Sequence, residues 1–176
     1  MGDFGAAKIT CDASSGSISL NGAALEIEAD VSSGSITLDL TRAAALIDAD
    51  ASSGSVKVSG GAHSIRADTS SGSIRATGLL GDATLDASSG SVTAEWDSVA
   101  PGSRIIADTS SGGVRLTFPE DTALRGSVET SSGGIHTDFP GLWKDRRGHH
   151  LVLDGGPEAT HITVGTSSGG VKITAR

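Results

Sequence analysis

Tyrosine is absent from this chain of 176 residues, aromatic residues make up only 3% of it, and cysteine and methionine occur once each. A core of large rings is therefore excluded, and a single cysteine leaves no internal disulfide. No apolar run approaches the ~18 residues of a membrane span, and no signal-peptide pattern precedes the first repeated motif. Cations are in the minority: 13 Lys and Arg stand against 21 Asp and Glu, a net charge of −8. That balance argues against nucleic acid or an anionic membrane as a partner. What the chain does have is 25 glycines, with serine, alanine, isoleucine and valine, and these are arranged in a pattern.

The pattern is Ser-Ser-Gly, a small residue, then Ile or Val. It begins at Ser14, Ser32, Ser52, Ser70, Ser88, Ser110, Ser131 and Ser167. Successive starts lie 18, 20, 18, 18, 22 and 21 residues apart, then 36, or twice 18. So short a period marks a solenoid, in which each repeat buries its apolar face against its neighbours. Two helices per repeat need ~33 residues or more, and the composition opposes helix. Within one repeat, Ile65 and Ala67 alternate with Arg66 and Asp68, and Ile74 and Ala76 with Arg75 and Thr77. Alternation with period two on both sides of Ser-Ser-Gly reads as strand, bend, strand.

The expected fold is all-β: one solenoid domain over residues 1–176, with rungs of about 18–22 residues and two short strands each. Four inward columns form its core, one of them running Ile9, Ile27, Ile47, Ile65, Ala83, Ile105, Gly126, Ile162. Like residues stack at ~4.8 Å. Cys11 falls in an inward column and is expected to be a buried small hydrophobe. The first strand is placed at Ala7 to Asp12, with Met1 to Ala6 as a frayed cap. Residues 139–160 read as one degenerate rung that has lost its bend, with Trp143 folding over an end of the core.

Gly16, Gly34, Gly54, Gly72, Gly90, Gly112, Gly133 and Gly169 recur at one bend, which most simply asks for positive φ. No Lys-Ser/Thr follows, so a phosphate-cradling loop is not indicated. The paired serines are expected to form hydroxyl ladders. Pro119 and Pro140 follow Phe118 and Phe139 and should end strand pairing there.

The most unusual chemical feature is an acidic column two residues before each Ser-Ser: Asp12, Asp30, Asp50, Asp68, Asp86, Asp108 and Glu129, ending at Gly165. Stacked carboxylates at ~4.8 Å repel by ~0.9 kcal/mol per pair even in bulk water. Either bend N–H groups and serine hydroxyls compensate them, or they form a strip that collects a cation or a cationic partner surface. A single line of carboxylates supplies too few oxygens for Ca²⁺. A second outward column, Ser19, Thr37, Lys57, Arg75, Thr93, Arg115, His136 and Lys172, reads as a solvated face, with an acidic glycan as the sharper alternative.

No catalytic, metal or cofactor site is expected. His149 and His150 are adjacent, so their side chains diverge on a strand, and no further ligand motif accompanies them. Gly165-Thr166-Ser167-Ser168-Gly169 matches a nucleophile elbow in letters only, since it is the repeat's own bend.

The repeated bends, the Phe-Pro steps, and Asp154-Gly155-Gly156-Pro157 followed by His161 to Gly169 resemble a bacterial adhesin-type domain family of unknown function. That resemblance implies a right-handed β-helix of single-stranded turns, a bacterial source and a place at the cell envelope or outside the cell. It brings no catalytic residues. The family commonly has Asp after Ser-Ser-Gly, where this chain has Ser or Gly. The expectation is a non-enzymatic surface interaction module whose partner is a protein or glycan. Two alternatives stay open: a carbohydrate-binding or carbohydrate-active β-helix, and a solenoid assembling end to end.

Overall fold

The computed structural model describes residues 6–176, so most of the expected frayed cap lies outside the described residues. Eighteen strands follow one another. The first eight are β1 (Ala6–Ser15), β2 (Ile18–Gly22), β3 (Ala24–Ser33), β4 (Ile36–Leu40), β5 (Ala44–Ala51), β6 (Val56–Ser59), β7 (Ala62–Thr69) and β8 (Ile74–Leu79). Then come β9 (Asp82–Ala87), β10 (Val92–Trp96), β11 (Arg104–Thr109), β12 (Val114–Phe118) and β13 (Leu124–Thr130). The last five are β14 (Ile135–Thr137), β15 (Gly141–Trp143), β16 (His150–Asp154), β17 (Thr160–Thr166) and β18 (Val171–Ala175). There is no helix among the described residues.

The strands form a β-solenoid with two parallel sheets. Up to β12, odd-numbered strands stack in the first sheet and even-numbered strands in the second. Ile65 pairs with Ile47 on one side and Ala83 on the other, so matching residues do become vertical neighbours. Inward residues are buried between the sheets: Ile27, Ile47, Ile65 and Ile105 from the first, Ile36, Val56, Ile74 and Val92 from the second. Cys11 is half-buried rather than buried, because no described strand stacks beyond β1.

The stack departs from chain order at its C-terminal end. The first sheet runs β1-β3-β5-β7-β9-β11-β17-β13-β16-β15, and the second ends β12-β18-β14. The last rung, β17 and β18, is thus inserted between the two rungs that precede it. Residues 139–160 are not a degenerate rung. They form an antiparallel hairpin, β15 with β16, whose inner strand pairs antiparallel with β13. The chain then crosses the start of β13, where Gly155 N–H bonds the Leu124 carbonyl and Thr160 N–H that of Ala123, and enters the stack on the other side. A reversed strand turns a different pattern of donors to the next neighbour and blunts this end. Leu151 and Leu153 of the hairpin face the core, whereas Trp143 sits on the outermost strand and is 49% exposed; it does not cover the core.

Large side chains gather near this end. Trp96 stacks on Phe118 with ring centroids 4.6 Å apart, and Phe139 meets Phe118 edge-on at 6.1 Å. The buried indole N–H donates to the Gly81 carbonyl at 2.9 Å, which satisfies its one donor. Strand β12 ends at Phe118 before Pro119, as the missing N–H requires.

The bend glycines are required for a reason other than positive φ. Only Gly16 and Gly34 have it, at 106° and 155°. At Gly54, Gly72, Gly90, Gly112, Gly133 and Gly169 a Cβ would lie 1.6–1.9 Å from the carbonyl oxygen of the glycine beneath. Backbone packs directly on backbone at this corner, and no side chain fits.

The bend hydroxyls also differ from expectation. The paired serines bond between rungs through backbone, as in Ser88 N–H to the Thr69 carbonyl. The ladder belongs to the serine after the glycine: the N–H groups of Ser35, Ser55, Ser73 and Ser91 donate to the hydroxyls of Ser17, Ser35, Ser55 and Ser73, each at 3.2 Å. A second device is a buried threonine before the serine pair. Thr69 Oγ1 donates to the Gly54 carbonyl at 2.7 Å and accepts from Gly72 N–H at 3.1 Å. Thr109, Thr130 and Thr166 repeat it. These threonines were legible one position before Ser-Ser, in a column the alternation marks as inward.

Candidate functional site

The acidic column exists on the outer face of the first sheet. Asp12 pairs with Asp30, Asp30 with Asp50, Asp50 with Asp68, Asp68 with Asp86 and Asp86 with Asp108. Its far end is rearranged by the inserted rung: Asp108 neighbours Gly165, Gly165 neighbours Glu129, and Glu129 neighbours His150. Gly165 therefore separates two acids. The Asp108 carboxylate leans over it, so that a Cβ there would meet Asp108 Oδ2 at 2.6 Å. His150 Nε2 lies 3.4 Å from Glu129 Oε1.

Among the described residues, none of the six column aspartates accepts a hydrogen bond from a bend N–H or a serine hydroxyl. The column is uncompensated in that sense. Its partial relief is Arg66, one outward column over, whose Nε lies 3.7 Å from Asp48 Oδ1. Burial pushes the Asp50 and Asp86 carboxyls above their usual 3.8, and repulsion from Asp68 adds to it; Asp30 contributes at Asp50 and Asp108 at Asp86, while Arg66 opposes. Repulsion along the column, which the sequence shows, is the smaller of the two causes; loss of solvent beside neighbouring strands is not visible in a list of charges.

Beside the column, Glu28, Asp30, Asp48, Asp50 and Arg66 line a shallow depression of about 320 Å³. Its carboxylates come from two adjacent strands, β3 and β5, because the same two outward positions are acidic in both. Among the described residues no three His, Cys, Asp or Glu side chains converge as a metal site requires.

Two other places hold chemistry-bearing groups. Where the connections after β10, β12 and β16 lengthen, they line a cleft of about 380 Å³ that includes Asp97, Asp121 and Glu158. Asp97 is engaged by Arg176, which also pairs with Glu95. At the hairpin, Asp145 Oδ1 accepts the N–H groups of His149 and His150 at 2.9 and 3.0 Å. Burial pushes that carboxyl up, but these bonds and one from Arg147 hold it below its usual range. Asp145 thus organises the turn of the hairpin. His149 and His150 enter through their backbone, and the His150 ring also meets Glu129.

The whole arrangement, a helix-free stack of short parallel rungs, is matched over residues 3–174 by the family described as Toastrack DUF4097. The chain belongs to that family. No curated protein and no solved structure matches it. Membership covers nearly all of this Toastrack chain and agrees with the β-solenoid, while the family is one of unknown function. Among the described residues of this Toastrack domain, no helix is long and apolar enough to cross a membrane.

Proposed function

We propose that this Toastrack domain is a non-enzymatic interaction module of the bacterial cell envelope or surface, and that it docks a cationic partner surface on the outer face of its first sheet. One observation carries the reading. Six aspartates stand in register without a hydrogen-bonded counterpart among the described residues, beside a depression bordered by four carboxylates. Charge of one sign at fixed spacing on a rigid sheet selects and steers partners of the opposite sign. Arg66 on Asp48 exemplifies how a guanidinium sits there. An envelope location rests on the family resemblance in the bends and Phe-Pro steps. The acidic cleft at the long connections offers less to an enzymatic reading, because one of its three carboxylates is occupied by Arg176.

A decalysine peptide tests this. Binding measured at low ionic strength should be in the micromolar range, should weaken steeply as salt rises, and should fall at least tenfold in the Asp50→Asn, Asp68→Asn, Asp86→Asn triple variant. Undiminished binding by a folded triple variant would overturn the assignment of the site to this column.

A further inference from the structure

One outward column of the second sheet carries the opposite sign. In spatial order it is Ser19, Thr37, Lys57, Arg75, Thr93, Arg115, Lys172 and His136. Sequence order placed Lys172 last; the inserted rung brings it beside Arg115. In a chain of net charge −8, cations would be expected to find carboxylates, yet Lys57, Arg75, Arg115 and Lys172 make no ion pair with any described residue.

Next to Arg115 and Lys172 the serine ladder stops. From Ser35 to Ser91 the N–H of each rung's serine donates to the serine hydroxyl of the rung before it. In the next three rungs in space, glycine replaces that serine: Gly113, Gly170 and Gly134. The fold does not demand glycine there. None of the three has positive φ, and a Cβ would meet only a carbonyl oxygen at 3.2 Å at Gly113, one at 3.3 Å at Gly170, and nothing within 4 Å at Gly134. Two things result. With no hydroxyl on Gly113 the Gly170 N–H loses its ladder acceptor, the Gly113 N–H likewise has none among the described residues although Ser91 lies in the rung before it, and the space a hydroxyl would fill becomes a groove of about 320 Å³ lined by Ser91, Thr93, Gly113, Arg115, Gly170 and Lys172.

A guanidinium, an ammonium, hydroxyls and unused amide donors around one opening form a site for an oxyanion. We propose that this groove binds the carboxylate or sulfate group of an acidic glycan, with Arg115 and Lys172 as charge partners and the Gly113 and Gly170 amides as donors. Lys57 and Arg75 continue the same column at multiples of the ~4.8 Å rung spacing, so a chain with repeated, well-separated charges can engage them in turn. A duplex nucleic acid, with a charge every ~1.7 Å, would meet the repulsion of the whole acidic molecule. The site lies on the sheet opposite the aspartate column and does not depend on it.

The test is titration of the ¹⁵N-labelled chain with a galacturonate hexasaccharide, a neutral glucose hexasaccharide and sodium sulfate as separate arms. The acidic oligosaccharide should shift the Gly113 and Gly170 amides in a saturable, salt-sensitive way, and the neutral one should not. Arg115→Gln with Lys172→Gln should weaken binding about tenfold or more. Gly113→Ser restores the ladder, gives the Gly170 amide an acceptor and fills the groove, so it should weaken binding without lowering Tm. Gly134→Ser, outside the groove, should bind as the parent does. Equal shifts with the neutral sugar, unaltered binding by the folded charge variant, or response to sulfate alone would each overturn the proposal.

Discussion

At Gly90 a methyl group would sit 1.6 Å from the Gly72 carbonyl oxygen, and at Gly72 one would sit 1.9 Å from that of Gly54. The obstacle is backbone, which cannot rotate away, so the rungs would have to part. Their hydrogen bonds and buried Ile-Val columns would part with them. Gly90→Ala is therefore expected to cost more than 4 kcal/mol, the range of severe packing defects, and to leave little folded protein in a thermal melt. Gly134→Ala, with nothing within 4 Å and no positive φ, should stay within about 0.5 kcal/mol of the parent. If both variants melted alike, backbone stacking would not be what selects glycine at the bend. The glycines themselves were plain in the sequence. Their reason was not, because a crowded corner and a positive φ leave the same letter, and only the distance to the rung beneath separates them.

A column of aspartates is a property of strands in register rather than of any residue. Neighbouring pairs at ~4.8 Å repel by ~0.9 kcal/mol in bulk water, and screening at these solvent-facing positions reduces what is felt. Asp50 and Asp86 have pKa values raised from 3.8 by burial and then by their neighbours. The native state therefore holds their protons more tightly than the unfolded chain does. Their contribution to stability is full below the ordinary carboxyl pKa, declines as pH rises through the raised value, and is flat above it. On this account Asp50→Asn and Asp86→Asn should each raise stability at pH 7 by less than about 1 kcal/mol after screening, a Tm gain below ~2–4 °C. They should change it much less at pH 3.5, and added salt should shrink the gain. Calorimetric scans at the two pH values check this, and a lower Tm for both variants at pH 7 would mean that the carboxylates stabilise the sheet. The column was legible because period and alternation together place those positions on one face. The order of its last two members was not, because Gly165 and Glu129 take their places from the path of the chain between residues 137 and 160.

That path decides the order of rungs in the whole molecule. If the chain stacked strictly in sequence, Ile106 on β11 would neighbour Ser127 on β13; in the observed stack it neighbours Thr163 on β17, and Ser127 lies beyond Thr163. Three features favour the exchange. Gly165 comes to lie between Asp108 and Glu129, which spares the column one contact between acids. The reversed strand β16 pairs with β13 and the hairpin closes the edge, with β15 outermost, while Thr166 completes the threonine ladder by donating to the Gly112 carbonyl at 2.9 Å. Gly126, with φ 137°, packs so closely on the Ile162 carbonyl of β17 that a Cβ would lie 1.8 Å from its oxygen. Cross-linking reads the order directly, since adjacent parallel strands hold Cα atoms within the 4.4–6.8 Å that a disulfide spans. With Cys11 replaced by serine, Ile106→Cys with Thr163→Cys should oxidise to a disulfide in the folded chain. Ile106→Cys with Ser127→Cys should stay reduced, its partners one rung too far apart. The opposite pattern in non-reducing peptide maps would place the rungs in chain order and remove the inserted rung that brings Lys172 beside Arg115.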